Sequence, residues 1–449
     1  MGLLSSFYGL RALHLRFSQA CGRGSASAWT KIEETNEFRS EVLYTIFECL
    51  EGATFPRAKD FNQSGELISQ RDPAIPISLS TLTISNLGDN YDPYVMESDT
   101  FKAFLASGIV DLRLHITTRL TKYGRWRPFK YYDKHELFNQ MPKTWLALPL
   151  ATNLRVLSLY CYEYWGWHPK MDFRAAGGGR GFPNLKVLAL GKYVFSHEWQ
   201  AEWFVSLGIQ EFYLDDCRIV YQSRTWWTPD DGITVAGQDD EGRDILLSDD
   251  GYLRIDDVFE EMHGINPERE PDDSDESDLS ESDVPLVMIP FPLRWHTLLS
   301  RWRESMPNLI DFKIGSGTWD GPAQNDPIAS FLDPDSESAA EKAARLRPKD
   351  LKYNGFRNFS CPPPSDEDED DEDQVPAGLC QDGEKQLSYV YHDMSNWWEW
   401  EDWNDPLRDE GDRREWVFEK DLRATDEAAL ELLLATVRER RGKLHVSNI

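Results

Sequence analysis

Cysteine is scarce in this chain, which excludes the folds that depend on thiol chemistry. The 449 residues contain six cysteines at irregular spacing. This pattern provides neither a disulfide framework nor the paired cysteines of a structural zinc site. Nine histidines are scattered, and no two stand at the i, i+4 spacing that binds a metal on one helix face. We therefore expect no metal and no cofactor, and a reducing compartment, either the cytoplasm or the nucleus.

Long apolar runs are missing as well. No stretch approaches the roughly 20 apolar residues that cross a bilayer. Residues 1–6 fit a myristoylation pattern, and residues 1–32 contain basic residues without an acid, as transit peptides do. Both patterns are weak, and the repeats described below explain the same residues better. We expect no membrane partner.

Positive charge is in short supply. The chain has 48 Lys and Arg against 78 Asp and Glu, a net charge of −30. Nucleic acid is excluded as a partner, because its phosphates require a basic surface. The runs 268–283 and 366–373 each carry −8, so together they supply −16 of the −30. Segments of this composition bury too little apolar surface to fold, which predicts two disordered stretches.

The most informative feature that is present is an apolar phrase, L-x-x-L-x-L, which occurs seven times. Its copies are Leu10-Leu13-Leu15, Leu79-Leu82-Ile84, Ile109-Leu112-Leu114, Leu154-Leu157-Leu159, Leu185-Leu188-Leu190, Ile209-Phe212-Leu214 and Leu309-Phe312-Ile314. Each phrase has the length of a short strand with one apolar face. Seven copies argue against chance.

Helical segments precede several of these phrases and end at Gly or at Pro-Asn, residues that stop a helix. We expect Asp99 and Ser196 to cap two of these helices, and residues 37–50 to form another. The unit is helix, tight turn, short strand. So small a strand cannot bury its apolar side alone, and stacked neighbours must share one core. The sequence therefore predicts an α/β fold, an irregular solenoid with a parallel sheet.

The phrases "FPNLKVLAL", "TNLRVLSL" and "GIQEFYLDDC" resemble degenerate leucine-rich repeats of the kind found in fungal F-box/leucine-rich-repeat proteins. The resemblance covers roughly residues 1–320. The repeat family expects Asn or Cys three positions after the last leucine. Cys217 meets this expectation, whereas Tyr162 and Tyr193 hold the equivalent places, and the copies are 24 to 100 residues apart.

These patterns divide the chain into four parts. They are the leucine-rich-repeat-like solenoid 1–229, an acidic disordered insertion 230–285, a last repeat 286–322, and a C-terminal region 323–449 with an acidic loop 361–378 and a closing helix 425–441. The apolar stripe predicted for the closing helix consists of Leu430, Leu433, Leu434 and Val437.

The resemblance implies a non-enzymatic protein-interaction scaffold, the substrate-recognition part of an F-box ubiquitin-ligase receptor. Catalytic motifs are absent, and we expect no catalytic residue. Side chains that stand between the apolar positions should face the partner, whose identity the sequence does not give. They are Arg155, Ser158, Lys186, Ala189, Gln210 and Tyr213.

Two alternative functions belong to other classes. One is a hydrolase or sugar-active enzyme that uses a tryptophan-rich surface, for which Trp165 and Trp167 are examples. Against it, irregular repeats also use large rings to fill gaps in the core, which is the interpretation we favour. The other is an acidic chaperone for basic proteins, which would act through the two acidic runs.

An F-box stands ahead of the repeats in this family and binds the adaptor of a cullin-RING ligase. Residues 40–50, "SEVLYTIFECL", resemble its Glu-Val-Leu and Ile-Phe pattern but lack the preceding Leu-Pro and the following short helices. We favour an inter-repeat helix whose apolar side, Phe38, Val42, Ile46 and Cys49, is covered. Met1 falls within a repeat, so the F-box is expected either upstream or lost. The ligase adaptor is an expected partner only if an F-box lies upstream.

Overall fold

The computed structural model describes residues 9–17, 21–22, 34–52, 76–117, 131–167, 169–225, 237–238, 244–245, 287–315, 387–393, 400–402 and 422–447. The acidic run 268–283 and the loop 361–378 lie outside these residues. Within the insertion 230–285, the structure describes a two-residue antiparallel ladder between Gly237–Gln238 and Asp244–Ile245.

The described strands are short and numerous. In chain order they are β1 Ala12–Arg16, β2 Cys21–Gly22, β3 Glu34–Thr35, β4 Thr81–Gly88, β5 Asp111–Thr117, β6 Val156–Trp165, β7 Val187–Phe195, β8 Glu211–Asp215, β9 Arg218–Thr225, β10 Gly237–Gln238, β11 Asp244–Ile245, β12 Val287–Pro290, β13 Asp311–Gly315, β14 Ser388–Asp393 and β15 Trp400–Asp402.

Helices separate the strands of the main sheet. They are α1 Asn36–Leu50, α2 Pro93–Met96, α3 Asp99–Leu105, α4 Tyr131–Gln140, α5 Leu148–Ala151, α6 Glu198–Ser206, α7 Trp295–Ser305 and α8 Leu422–Ser447, with a 3₁₀ segment at Phe173–Gly179. No helix in the described part of the chain is long and apolar enough to cross a membrane.

The architecture is mixed α/β, built on an open and mostly parallel sheet that joins eleven of the described strands. Seven of these strands carry the apolar phrase. They pair in parallel and in chain order: β1, β4, β5, β6, β7, β8 and β13. The predicted parallel sheet of phrase strands is confirmed.

The register of this pairing aligns equivalent phrase positions across the whole sheet. One row consists of Leu13, Leu82, Leu112, Leu157, Leu188, Phe212 and Phe312. A second row, two residues further along each strand, consists of Leu15, Ile84, Leu114, Leu159, Leu190, Leu214 and Ile314. Because strand side chains alternate between faces, both rows lie on the same side and share one core with the helices. This alignment explains why the phrase repeats.

The sheet branches at β7. Its first half pairs with β8, whereas Val194 and Phe195 pair with Arg218 and Ile219 of β9. Strand β9 in turn pairs with β12 and β14, and β14 pairs with β15. The described parts of the regions separated from the sequence as 1–229, 286–322 and 323–449 therefore share one sheet and one core.

Three of the phrase strands have a left-handed residue at the same phrase position, within β4 and β7 and directly after β8. Asn86, Lys192 and Asp216 have φ values of 61°, 55° and 46°, and each stands two residues after the last apolar residue of its phrase. The left-handed residue interrupts the strand alternation, so the residue after it is buried instead of exposed. These buried residues are Leu87, Tyr193 and Cys217.

Cys217 occupies the position at which the leucine-rich-repeat family places Asn or Cys. Its Sγ donates to the carbonyl oxygen of Leu190 at 3.2 Å, which ties the end of β8 to β7. Tyr193 fills the equivalent place one strand earlier, and its hydroxyl accepts a hydrogen bond from Gln200 Nε2 at 2.6 Å. This hydrogen bond ties β7 to helix α6, which carries Gln200.

The closing helix is longer than predicted. Helix α8 runs from Leu422 to Ser447 and packs on α7. Leu430, Leu433 and Val437 are buried as expected, while Leu434 is half-buried at the edge of the contact. Ala429 and Leu422 are buried as well, and Leu422 lies before the predicted start of the helix at residue 425.

Arginines near the end of α8 bind the last carbonyls of α7. Arg440 donates to the carbonyl oxygens of Arg303 and Met306 at 2.7 and 2.8 Å. These are among the groups that a helix leaves without intrahelical partners at its C-terminus. The closing helix is thus fixed at both its apolar stripe and its basic end.

Both predicted N-caps are wrong. Ser98 caps α3 by accepting from Phe101 N–H, so Asp99 is a first-turn residue. His197 occupies the N-cap of α6, where Gln200 Oε1 accepts from the backbone of both Ser196 and His197.

Helix α1 lies between β1 and β4, but it is rotated from the predicted orientation. Ile46 and Cys49 are buried and Val42 is half-buried, whereas Phe38 is 52% exposed. The guanidinium of Arg39 is buried instead, since it donates to Glu34 and to the carbonyl oxygen of Asn86. A buried cation with two partners therefore displaces the apolar ring that the spacing favoured.

Candidate interaction surface

Three of the six predicted partner-binding residues lie side by side on neighbouring strands. Ser158 of β6 is opposite Ala189 of β7, which is opposite Tyr213 of β8. They are on the face of the sheet away from the main core, as the phrase predicts. All three are nevertheless buried. Their direct contact area for a partner is small.

The other three form an exposed row where these strands begin, which we call the rim. It consists of Arg155, Lys186 and Gln210. Backbone hydrogen bonds join them in sequence: Lys186 N–H donates to Arg155 oxygen at 2.8 Å, and Gln210 N–H donates to Lys186 oxygen at 2.7 Å. The backbone is fixed by the sheet while the side chains reach solvent.

The side chains of Arg155 and Lys186 have no hydrogen-bond or ion-pair partner among the described residues. They stand one strand apart in a chain of net charge −30. Neighbouring strands are about 4.8 Å apart, so these two like-charged side chains start from adjacent backbone positions. An anionic group of a partner would pair with both side chains.

A second apolar cluster lies behind the rim, on the same face of the sheet. It consists of Val156, Tyr160, Val187, Ala189 and Tyr213, all buried. The ring of Tyr160 lies directly over Gly191, where an added Cβ would stand only 1.7 Å from the ring. Glycine at position 191 is therefore a requirement of this cluster.

Tyr213 belongs to this cluster, and its hydroxyl makes polar contacts that were not predicted from the sequence. Its hydroxyl is 2.9 Å from Glu211 Oε2 and 3.0 Å from Asp311 Oδ2. Burial and these two carboxylates raise the pKa of Tyr213 well above its usual value, so the hydroxyl stays protonated. Arg441 of the closing helix pairs with Asp311 at 2.6 Å.

The proximity of Glu211 and Asp311 could have been predicted from their equivalent positions in two copies of the apolar phrase. Glu211 and Asp311 hold the same phrase position, and the register places them opposite each other on β8 and β13. The contribution of Arg441 had no such signal, because α8 is far along the chain.

The opposite end of this face is also charged. Arg113 donates to both carboxylate oxygens of Asp111, at 2.8 and 2.7 Å, and both residues are buried. His115, on the same strand, lies 5.0 Å from the ring of Tyr160. Burial and the positive charges of Lys192 and Arg16 lower the pKa of His115 to about 3. His115 is therefore neutral at physiological pH.

Five of the described tryptophans are buried and serve packing. Trp165 and Trp167 are both buried, as are Trp145, Trp295 and Trp302. Trp165 also donates from Nε1 to the carbonyl oxygen of Gly191 at 2.7 Å. The prediction that large rings fill gaps between layers is confirmed for Trp165 and Trp167. The described residues contain no group of three or more His, Cys, Asp or Glu arranged to hold a metal ion.

Comparison with protein-family models, with curated proteins and with solved structures finds no match to this chain.

Proposed function

We propose that this protein is a non-catalytic protein-interaction scaffold, and that its parallel sheet is an irregular leucine-rich-repeat-like solenoid. The observation that supports this most is the exposed rim of Arg155, Lys186 and Gln210 at the start of three consecutive strands. Rigid backbone and accessible side chains are what a recognition surface requires.

The partner of the rim is a protein with an acidic or phosphorylated segment. Arg155 forms bidentate hydrogen bonds with such groups, and Lys186 adds a second charge. The buried cluster of Tyr160, Val187 and Tyr213 behind the rim keeps the strands in register and fixes the spacing of the two cations.

The scaffold resembles the substrate-recognition part of an F-box receptor. In that role, it positions a bound protein and a ligase performs the chemistry. The proposal places the protein in the cytoplasm or the nucleus.

The scaffold is tested by measuring how much partner protein the chain captures, for the unaltered protein and for matched charge variants. Arg155→Glu/Lys186→Glu reverses the rim, while Arg423→Glu/Arg438→Glu makes the same charge change at exposed positions on α8. Proteins captured by the unaltered chain should be lost with the rim variant and retained with the α8 variant. Equal retention by both, or equal loss, would contradict the proposal.

The acidic-chaperone alternative predicts a different result in the same experiment. Deleting 268–283 and 366–373 should leave capture by the rim unchanged. If the deletions abolish capture and the rim variant does not, the chain acts as a chaperone for basic proteins instead.

A further inference from the structure

A second surface, which differs chemically from the rim, lies on helices α1 and α2. Among the described residues, the exposed large apolar side chains are Phe38, Tyr94, Leu432 and Leu444. Phe38 belongs to α1 and Tyr94 to α2, and they are 52% and 53% exposed. The other two lie on the closing helix. Helices α1 and α2 are in contact, so the two exposed rings belong to neighbouring elements.

Tyr94 is held in a defined position. Its ring stacks on that of Tyr44 of α1, with centroids 4.8 Å apart and planes at 27°. Its backbone N–H donates to Asp92 Oδ1 at 3.1 Å, which fixes the start of α2. A partner would therefore meet an aromatic face whose orientation is already set, which lowers the entropy lost on binding.

Carboxylates flank these rings. Positions 38, 41, 45 and 48 of α1 fall on one helix face, so Glu41 and Glu48 lie in line with Phe38. The negative charge of Glu48 raises the pKa of the Tyr44 hydroxyl, so this carboxylate lies near the ring. Glu41 and Glu48 have no cationic partner within the described residues.

The basic residue of α1 does not neutralise Glu41 or Glu48, because it has other partners. Arg39 is buried and pairs with Glu34 at 2.8 Å, while its Nη1 donates to the carbonyl oxygen of Asn86. The outward face of α1 therefore combines exposed rings with uncompensated negative charge. An apolar partner would have to desolvate both carboxylates, which is costly. A cationic partner would pair with them.

We propose that Phe38, Glu41, Tyr44, Glu48 and Tyr94 form a docking surface for an arginine-bearing basic segment of a partner protein. A guanidinium stacks on tyrosine and donates bidentate hydrogen bonds to a carboxylate, so both features of the surface are used by one side chain. This surface is independent of the rim and takes a partner of the opposite charge.

The test uses the full chain and a fluorescent peptide of alternating arginine and glycine, titrated at physiological salt. Tyr94→Ser and Glu41→Gln/Glu48→Gln should each weaken binding roughly fivefold or more. Tyr94→Phe keeps the ring and should bind as the unaltered chain does. The matched control is Glu427→Gln/Glu431→Gln, which removes the same charge from an exposed part of α8.

Three outcomes would overturn the proposal. They are unchanged affinity in both surface variants, an equal loss in the α8 control, and equal affinity for a peptide of alternating leucine and glycine. The altered residues are solvent-accessible, so melting temperatures should not change. If Tyr94→Ser nevertheless lowers the melting temperature, the Glu41→Gln/Glu48→Gln comparison with its control decides.

Discussion

Leu157 and Leu188 stand directly opposite each other on neighbouring parallel strands, and both side chains are completely buried. They occupy the same position in consecutive copies of the apolar phrase. The pair lies in the middle of a row of seven such residues, so each leucine packs against an equivalent neighbour on both sides. This relationship makes the repeat testable by mutation.

We expect Leu157→Ala and Leu188→Ala each to lower the free energy of unfolding by roughly 2–5 kcal/mol, because each leaves a cavity in a close-packed core. Leu432→Ala is the matched control, since Leu432 is 53% exposed on α8. Chemical denaturation measures all three. Near-unaltered stability of both core variants would show that the phrase row does not hold the fold together.

Gly191→Ala tests the packing of Tyr160. The new methyl group would meet the tyrosine ring at 1.7 Å, so we expect a loss of about 1–3 kcal/mol or more. Adding Tyr160→Ala should recover part of the overpacking cost, which a double-mutant cycle detects.

Gly442→Ala is the control for this experiment. Gly442 lies within α8 with open space around it, and alanine there should stabilise the protein by about 0.5–1 kcal/mol. Equal effects of Gly191→Ala and Gly442→Ala would contradict the arrangement of Tyr160 over Gly191.

Asp426 anchors the closing helix through a buried polar network. Its Oδ1 accepts from the His296 backbone N–H and faces His296 Nδ1, both at 2.8 Å, and its Oδ2 accepts from the Tyr389 hydroxyl at 2.6 Å. The carboxylate thus binds the N-terminus of α7 and the strand β14 at once. Burial and the adjacent Asp426 carboxylate raise the pKa of Tyr389, which keeps the hydroxyl a donor.

Asp426→Ala should cost roughly 3–5 kcal/mol, because it leaves buried donors of α7 and β14 without an acceptor. Glu431→Ala, at an exposed position of the same helix, should change stability by no more than about 0.5 kcal/mol. Limited proteolysis provides a second measurement, since α8 should become more susceptible in the first variant and not in the second. Unchanged stability and digestion of Asp426→Ala would refute the anchoring role.

His115 should make stability depend on pH. Its pKa is lowered in the folded protein to about 3, below the ordinary value of 6.5. Between these values the unfolded chain binds a proton that the folded chain does not, so stability falls as the pH drops from about 6.5 towards 3. The charges responsible are Lys192 and Arg16, together with burial beside Tyr160.

Comparison with His115→Gln isolates this effect, because the many carboxylates contribute to both proteins. Relative to its value at pH 7.5, the stability of the unaltered protein at pH 5 should fall by on the order of 1–2 kcal/mol more than that of the variant. Denaturation midpoints across the pH range measure the difference. Parallel pH profiles would show that His115 titrates normally.

The sequence by itself determined the elements whose patterns are local. An L-x-x-L-x-L phrase preceded by turn residues is enough to predict a short strand with one apolar face, and seven copies predict that the strands stack in chain order, as β1 to β13 do. The closing helix was equally predictable, because Leu430, Leu433 and Val437 follow the helical period. The exposed rim was predicted from the same phrases, because its three residues stand directly before β6, β7 and β8.

Only the tertiary structure decided the contacts between residues distant along the chain. The Tyr213 hydroxyl meets Asp311 across 98 residues, and Asp426 reaches His296 across 130. The rotation of α1 that exposes Phe38 has the same origin, because the buried Arg39 pairs with Glu34 and with the carbonyl oxygen of Asn86. The branch of the sheet at β7 depends on strand β9, and the apolar phrase contains no signal for the pairing of β9 with Val194 and Phe195. Hydrophobic periodicity is a property of residues that are close in the sequence. The partner of a buried polar group depends instead on which distant elements the tertiary fold brings together.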